Sequence, residues 1–335
     1  MSGATLPYRL RPHKAVDRRL FLELLNRYER WRSLEDHAYV SMAAFAMEDQ
    51  RLVHRLLGIE RLVAFDMDKD VVGRQLFNRP TSGTKCVSST ATSMVKDIEL
   101  SVQAAGILDA EGYIVWLDYT DPKQIGTQVA DFHKLLTQLG TNDIVRVTVN
   151  ANYDWWAGKS YPSNPVPIDV RQARAFNKLT KELKTYLPTT IKADDLGEEG
   201  IAVALAQTFG RAAGAAIKGR RIFEPLSIVR YADGQQMLTI TGTVVELAER
   251  AALRAKLGLG TWPFASTNWS DVKYLAVPDL TARERLYLER NAHVGAAGLS
   301  AALQFDFEAA AEMPGFIDNF RRYYRHYPAF TAVEL

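Results

Sequence analysis

Carboxylates that directly follow short apolar runs are the residues here with the clearest chemistry to offer. Residues 113–122, Tyr-Ile-Val-Trp-Leu-Asp-Tyr-Thr-Asp-Pro, end such a run on Asp118, with Tyr119 beside it. A carboxylate released at the rim of a buried strand suits a general base for a hydroxyl or amine, or a group that orients one. Residues 65–68, Phe-Asp-Met-Asp, repeat the pattern with Asp66 and Asp68. Two acceptor oxygens and no donor match a vicinal diol, while Asp68 equally suits the N-cap of a following helix. Ser88, Ser89 and Thr90 close a third run, either as partners for a ligand or as ordinary turn residues. Tyr153, Trp155 and Trp156 crowd the segment 150–156. Their faces suit a planar substrate or a methyl-bearing cation, or a flap over a sheet edge.

Other chemistries are poorly served. The 335 residues contain one cysteine, Cys86, and six histidines without an HxxxH or HxH pair, so no metal site is expected. His54 and His133 fall inside predicted helices and read as structural. Lys and Arg number 41 against 39 acidic residues, a net charge of +2, which gives no bulk attraction to nucleic acid or anionic membrane. The N-terminal residues reach Arg9 without the apolar core of a signal peptide, and no run of about 18 apolar residues occurs. A cytoplasmic location is expected, with no membrane association. The aromatic and basic residues 320–335 read as a helix and tail packed on the body, with a nucleic-acid platform or docking surface as the sharper alternative.

These residues need a scaffold, and the pattern supplies one. Residues 14–32 predict a helix with an apolar face at Val16, Leu20, Leu22, Leu24, Leu25 and Tyr28 and an Arg/Glu-rich opposite face. Strand and helix signals then alternate. Strands are expected at 37–44, 61–68, 84–89, 113–119 and 143–149, with helices at 47–57, 69–78, 96–105 and 124–139 between them. Five such units, with strands apolar on both faces, argue for a parallel sheet covered by helices on each side. Residues 152–167 read as an irregular loop, and residues 169–186 as a helix capped by Asp169. Residues 198–218 read as a small-residue helix. Two β-rich runs within 224–246 flank Ala-Asp-Gly, a hairpin turn signal. Helices follow at about 247–257, 282–290 and 316–324.

Five βα units closed by an antiparallel hairpin resemble the class I S-adenosylmethionine-dependent methyltransferases over roughly residues 35–246. In detail the chain is similar to bacterial O-methyltransferases of that class. The resemblance implies an α/β, doubly wound, mostly parallel seven-stranded sheet with a terminal antiparallel hairpin. Residues 1–34 and 247–335 would be N- and C-terminal helical extensions. It also implies S-adenosyl-L-methionine as cofactor. The loop Ser41, Met42, Ala43, Ala44, Phe45 stands where the family's glycine-rich loop approaches the methionine portion. Asp66, with Asp68 beside it, stands where a carboxylate accepts from the ribose hydroxyls, and Ser88 and Ser89 stand near the adenine. Asp118 stands where a proton-handling or orienting group is found. Tyr119, Tyr153, Trp155 and Trp156 stand where an acceptor pocket would be lined. Residues 118–122 are not the Asn/Asp-Pro-Pro-Tyr motif of amino-directed nucleic-acid methyltransferases. The acceptor, small molecule, protein or nucleic acid, stays open, as does a homo-oligomer or partner protein. Alanines in place of glycine keep a second reading open, a degenerate methyltransferase fold that serves as a binding or assembly subunit. A dehydrogenase using NAD is a third, opposed by the lack of GxGxxG after the first strand.

Overall fold

The computed structural model describes residues 12–232, 234–277, 280–295, 298–299 and 315–327. Its centre is one eight-stranded sheet in the order β3-β2-β1-β4-β5-β7-β6-β8. The strands are β1 (His37–Ser41), β2 (Leu62–Asp66), β3 (Lys85–Ser88), β4 (Gly112–Asp118), β5 (Ile144–Asn150), β6 (Arg221–Ala232), β7 (Gln236–Glu246) and β8 (Lys273–Leu275). β1 to β5 run parallel, and β7 pairs antiparallel with both β5 and β6. Every residue of β1 and of β5 is buried, as an apolar strand covered on both faces requires.

β8 is the strand the sequence did not announce. Three residues pair parallel with Val229–Tyr231 of β6, which makes eight strands rather than the expected seven. So short a segment carries no alternation to read.

Helices cover both faces. α4 (Ala91–Lys96), α5 (Ile98–Ala104), α6 (Ile125–Leu136), α8 (Ile168–Leu183) and α9 (Glu198–Ala216) bury one apolar core with Val115, Val147 and Ile240. α1 (Pro12–Tyr28), α2 (Glu48–Leu57), α10 (Arg250–Lys256), α11 (Ala282–Arg290) and α12 (Phe316–Tyr323) bury the other with Tyr39, Trp116 and Ile144. α3 (Lys69–Asn78) and the short α7 (Tyr153–Ala157) are also helical.

Local capping explains most boundaries. Asp68, Thr90, Asp97 and Asn152 each accept a backbone N–H from the first turn of the helix they precede. Gly58 closes α2 at φ 70°, where a side chain would be strained. Asp97 also corrects an expectation. The helix expected at 96–105 starts only at Ile98, because Asp97 leaves helical geometry at φ −149° and caps α5, and α4 before it is a separate helix that was not expected. Asn152 likewise starts α7 within the expected loop. α8 begins at Ile168, after Pro167, so Asp169 lies in its first turn and is not its cap. The hairpin turn falls after Ala232, with Tyr231 buried inside β6, and Asp233 lies outside the described residues. Residues 328–335 of the aromatic and basic C-terminal segment also lie outside them. Within the described part, Phe316, Ile317, Phe320 and Tyr323 pack into the second core. None of the described helices is long and apolar enough to cross a membrane.

Candidate active site

The carboxyl ends of β1 to β4 open into a cleft of about 580 Å³. Strand order reverses between β1 and β4, the place where an open parallel sheet leaves room for a ligand. The volume suits a small-molecule site, for which roughly 300–1,000 Å³ is usual. Met42, Ala43 and Ala44 after β1, Asp66 to Asp68 at the end of β2, Ser89 to Thr92 after β3 and Asp118 to Thr120 at the end of β4 form the walls, with Gln124 just before α6 and Thr127, Gln128 and Asp131 on it.

The loop after β1 folds without glycine by other means. Met47 adopts the left-handed conformation at φ 50° and is fully buried with Ala43 and Ala64. Two side chains of α3 hold the loop's carbonyls: Gln75 Nε2 donates to Ala43 O, and Asn78 Nδ2 donates to Phe45 O at 3.1 Å. The turn that a flexible backbone would supply is fixed here from outside.

Ser41 does not reach the cleft. Its hydroxyl donates to Asp49 Oδ2 at 2.6 Å and accepts from Gln50 Nε2 at 2.9 Å, so it pins β1 to α2. The pleat turns its side chain to that face of the sheet. Ser88, exposed at the end of the edge strand β3, also stands outside the cleft lining, whereas Ser89 is part of it.

Asp66 and Asp68 divide their tasks. Asp68 caps α3, accepting from Asp70 N at 2.9 Å. Asp66 Oδ1 accepts from Asp68 N at 2.8 Å. Burial pushes the Asp66 carboxyl up from the usual range, against the backbone hydrogen bonds that lower it.

Tyr119, Thr92 and Asp131 form a small network at the cleft wall. Tyr119 Oη and Thr92 Oγ1 both donate to Asp131 Oδ2, at 3.0 and 3.1 Å. Burial raises the Asp131 carboxyl, and these two hydrogen bonds partly offset it.

Asp118 is held from an unexpected direction. Lys14 Nζ, on α1, donates to Asp118 Oδ2 at 2.6 Å, and the two side chains are 7% and 10% exposed. Asp118 Oδ1 is buried and has no hydrogen-bond partner among the described residues. Part of the predicted charged face of α1, Lys14, Asp17 and Arg18, is thus buried, while Arg19 stays exposed. Asp17 pairs with Arg146 of β5, and Arg18 with Glu48 at the start of α2.

Tyr153, Trp155 and Trp156 are not brought to the cleft. Tyr153 and Trp156 are buried in the first core, and Trp155 packs against it. Lys178 Nζ lies 3.1 Å from the Trp155 ring centroid, and the Arg171 guanidinium 4.6 Å from that of Tyr153. α7 therefore clamps onto α8 and its rings are spent on packing. Cys86 is half-buried in β3, where burial pushes its thiol up. His54 contacts Ile59 O at 3.1 Å and His133 lies by Tyr186, both in structural surroundings.

Sequence reasoning did not find Lys14, Gln75, Gln128 or Asp131. For Gln128 and Asp131 a signal existed: both are polar positions among the inward-facing residues Ile125, Val129 and Phe132 of α6. For Lys14 none did, because a lysine on a charged helix face looks like any solvated one.

The order of the first seven strands, 3-2-1-4-5-7-6 with β7 reversed, and a cleft at the ends of β1 to β4 make the fold that of the class I S-adenosylmethionine-dependent methyltransferases. Its family follows from the sequence. A family model described as "Putative O-methyltransferase" matches residues 6–335, and the chain belongs to that family. No curated protein matches it. Similar solved structures include Trm1 from Pyrococcus horikoshii with S-adenosyl-L-methionine, at 11% identity over 75% of this chain and 59% of that one, TM-score 0.43. An rRNA methylase from Streptococcus thermophilus matches at 10% identity over 68% and 97%, TM-score 0.34. The N-methyltransferase NodS from Bradyrhizobium japonicum matches at 12% identity over 69% and 97%, TM-score 0.32. The chain thus spans less than two thirds of the length of Trm1.

S-adenosyl-L-methionine is the cofactor of this class, and the cleft's donor and acceptor set fits it. Asp118 Oδ1 and Gln128 Oε1 are buried acceptors without partners among the described residues, on side chains that line the cleft. A ligand bearing an ammonium, an amine and hydroxyls supplies the donors they lack. Ala43 and Ala44 line the cleft with only a methyl each.

Proposed function

We propose that the chain transfers a methyl group from S-adenosyl-L-methionine to an oxygen or nitrogen acceptor, with Asp118 as the catalytic residue. The carrying observation is the buried, unpartnered Oδ1 of Asp118 at the carboxyl end of β4, on a side chain that Lys14 anchors through Oδ2. Asp118 accepts the acceptor's hydrogen bond, aligns the nucleophilic atom and takes its proton. Asp66 accepts from the ribose hydroxyls, and the Met42–Ala44 backbone faces the methionine portion. Ser89, with the network of Tyr119, Thr92 and Asp131, borders the adenine end. The cofactor supplies a reactive sulfonium methyl; the protein's work is alignment and proton handling.

Calorimetric titration with S-adenosylmethionine and S-adenosylhomocysteine, with Asp66→Ala as control, tests this. Saturable binding that the control weakens supports the reading. No binding at millimolar ligand overturns it. Transfer of labelled methyl to fractionated small molecules, proteins and RNA then identifies the acceptor class.

A further inference from the structure

We infer that Lys14 is a positioning residue of the active site, and that α1 is therefore a working part of it. This rests on the methyltransferase reading of the cleft. Lys14 lies 104 residues from Asp118 in sequence, yet its ammonium makes a 2.6 Å contact with Oδ2 between two nearly buried side chains. A carboxylate with one oxygen fixed by a cation has a defined orientation, and its second oxygen becomes the directed acceptor. That second oxygen is the unpartnered Oδ1. Without Lys14 the nearly buried carboxylate would lose the charged partner of its Oδ2, and its orientation would no longer be fixed.

The placement of α1 is over-determined. Asp17 pairs with Arg146, and Arg18 pairs with Glu48 at 2.6 Å, so charges one turn along the same helix face lock it to β5 and α2. Arg146 is itself held at Thr241 Oγ1 at 2.9 Å and lies 4.6 Å from the ring centroids of Phe21 and Trp116. The register of α1 against the sheet is thereby fixed, and Lys14 Nζ is delivered to one oxygen of Asp118 and not the other.

A cofactor analogue reads this orientation without any knowledge of the acceptor. Sinefungin carries an amine at the position of the transferable methyl, whereas S-adenosylhomocysteine carries nothing there. A directed Oδ1 should favour sinefungin, by about tenfold for one charge-assisted hydrogen bond. The expected result is that Lys14→Met abolishes this preference while S-adenosylhomocysteine affinity stays within about threefold, and that Lys14→Arg restores it. If Lys14→Met does not fold, Lys14→Gln keeps a donor at Oδ2 without the charge, and should reduce the preference at least threefold. A preference that survives Lys14→Met or Lys14→Gln unchanged overturns the inference and leaves the cofactor reading intact. If the unmodified chain binds neither compound, the cofactor reading falls and the inference with it.

Discussion

Asp17 and Arg146 form an ion pair at 2.5 Å with side chains only 2% and 4% exposed, one on α1 and the other in the middle of β5. Removing one member leaves the other charged and out of water. Asp17→Asn should therefore lower unfolding free energy by about 3–5 kcal/mol, measured in urea. Replacing both with apolar residues of similar volume should recover much of the loss, because the pair's attraction is largely offset by desolvation.

Glu23 gives the chain an acid-sensitive tie. Burial alone would raise its carboxyl, but hydrogen bonds and charge from His326 and Arg27 outweigh it and hold it at about 2. His326 Nε2 stands 2.9 Å from Glu23 Oε2, so the segment following α12 is fastened to α1 by this contact. A depressed carboxylate contributes stability above its unfolded value near 4.5, and that contribution fades as pH falls toward 2. The stability gap between the unmodified chain and Glu23→Gln should be full at pH 6 and shrink steadily between pH 4 and 2, followed by denaturant unfolding.

Tyr119 and Asp131 make the opposite case. The Asp131 carboxyl is raised by burial, so ionising it with rising pH costs stability. The Tyr119 hydroxyl eases that cost by donating to the ionised form. Tyr119→Phe should thus destabilise by roughly 1.5–3 kcal/mol at pH 7, and by clearly less at pH 4. Carboxyl-detected NMR titration should show Asp131 holding its proton to higher pH in the variant.

Gln75→Leu removes the donor to the Ala43 carbonyl while keeping apolar volume on α3. A buried carbonyl left without its partner costs about 1–3 kcal/mol. Part of this should appear as weaker S-adenosylhomocysteine binding, because the loop that loses its anchor is a wall of the cleft. Equal affinity for both chains in calorimetry would show that the loop needs no such anchor.

How far the sequence carried this structure varies with the range of the interaction. The strands and most helices through residue 150, α4 excepted, were legible because burial on two faces leaves continuous apolar runs and helix ends carry caps such as Asp68 and Gly58. β8 was not legible, since it exists only because β6 offers an edge. The acidic strand ends Asp66 and Asp118 were legible for the same reason as the strands they end. The placement of Tyr153 and Trp156 was not. Their types suit stacking on a ligand as well as a core, and only the docking of α8 decides between these. Lys14 and Gln75 act across long sequence separations, where a single chain carries no pairing information.

Gln75 and Asn78, which grip the loop after β1, sit on the same helix whose N-cap, Asp68, follows Asp66. One rigid lever thus connects the two ends of the cleft. If, as proposed, Asp66 holds the ribose and the loop after β1 the methionine portion, occupying either end should alter the freedom of the other to the same degree. Adenosine and methionine offered as separate molecules should therefore bind as linked partners, each improving the other's affinity without touching it.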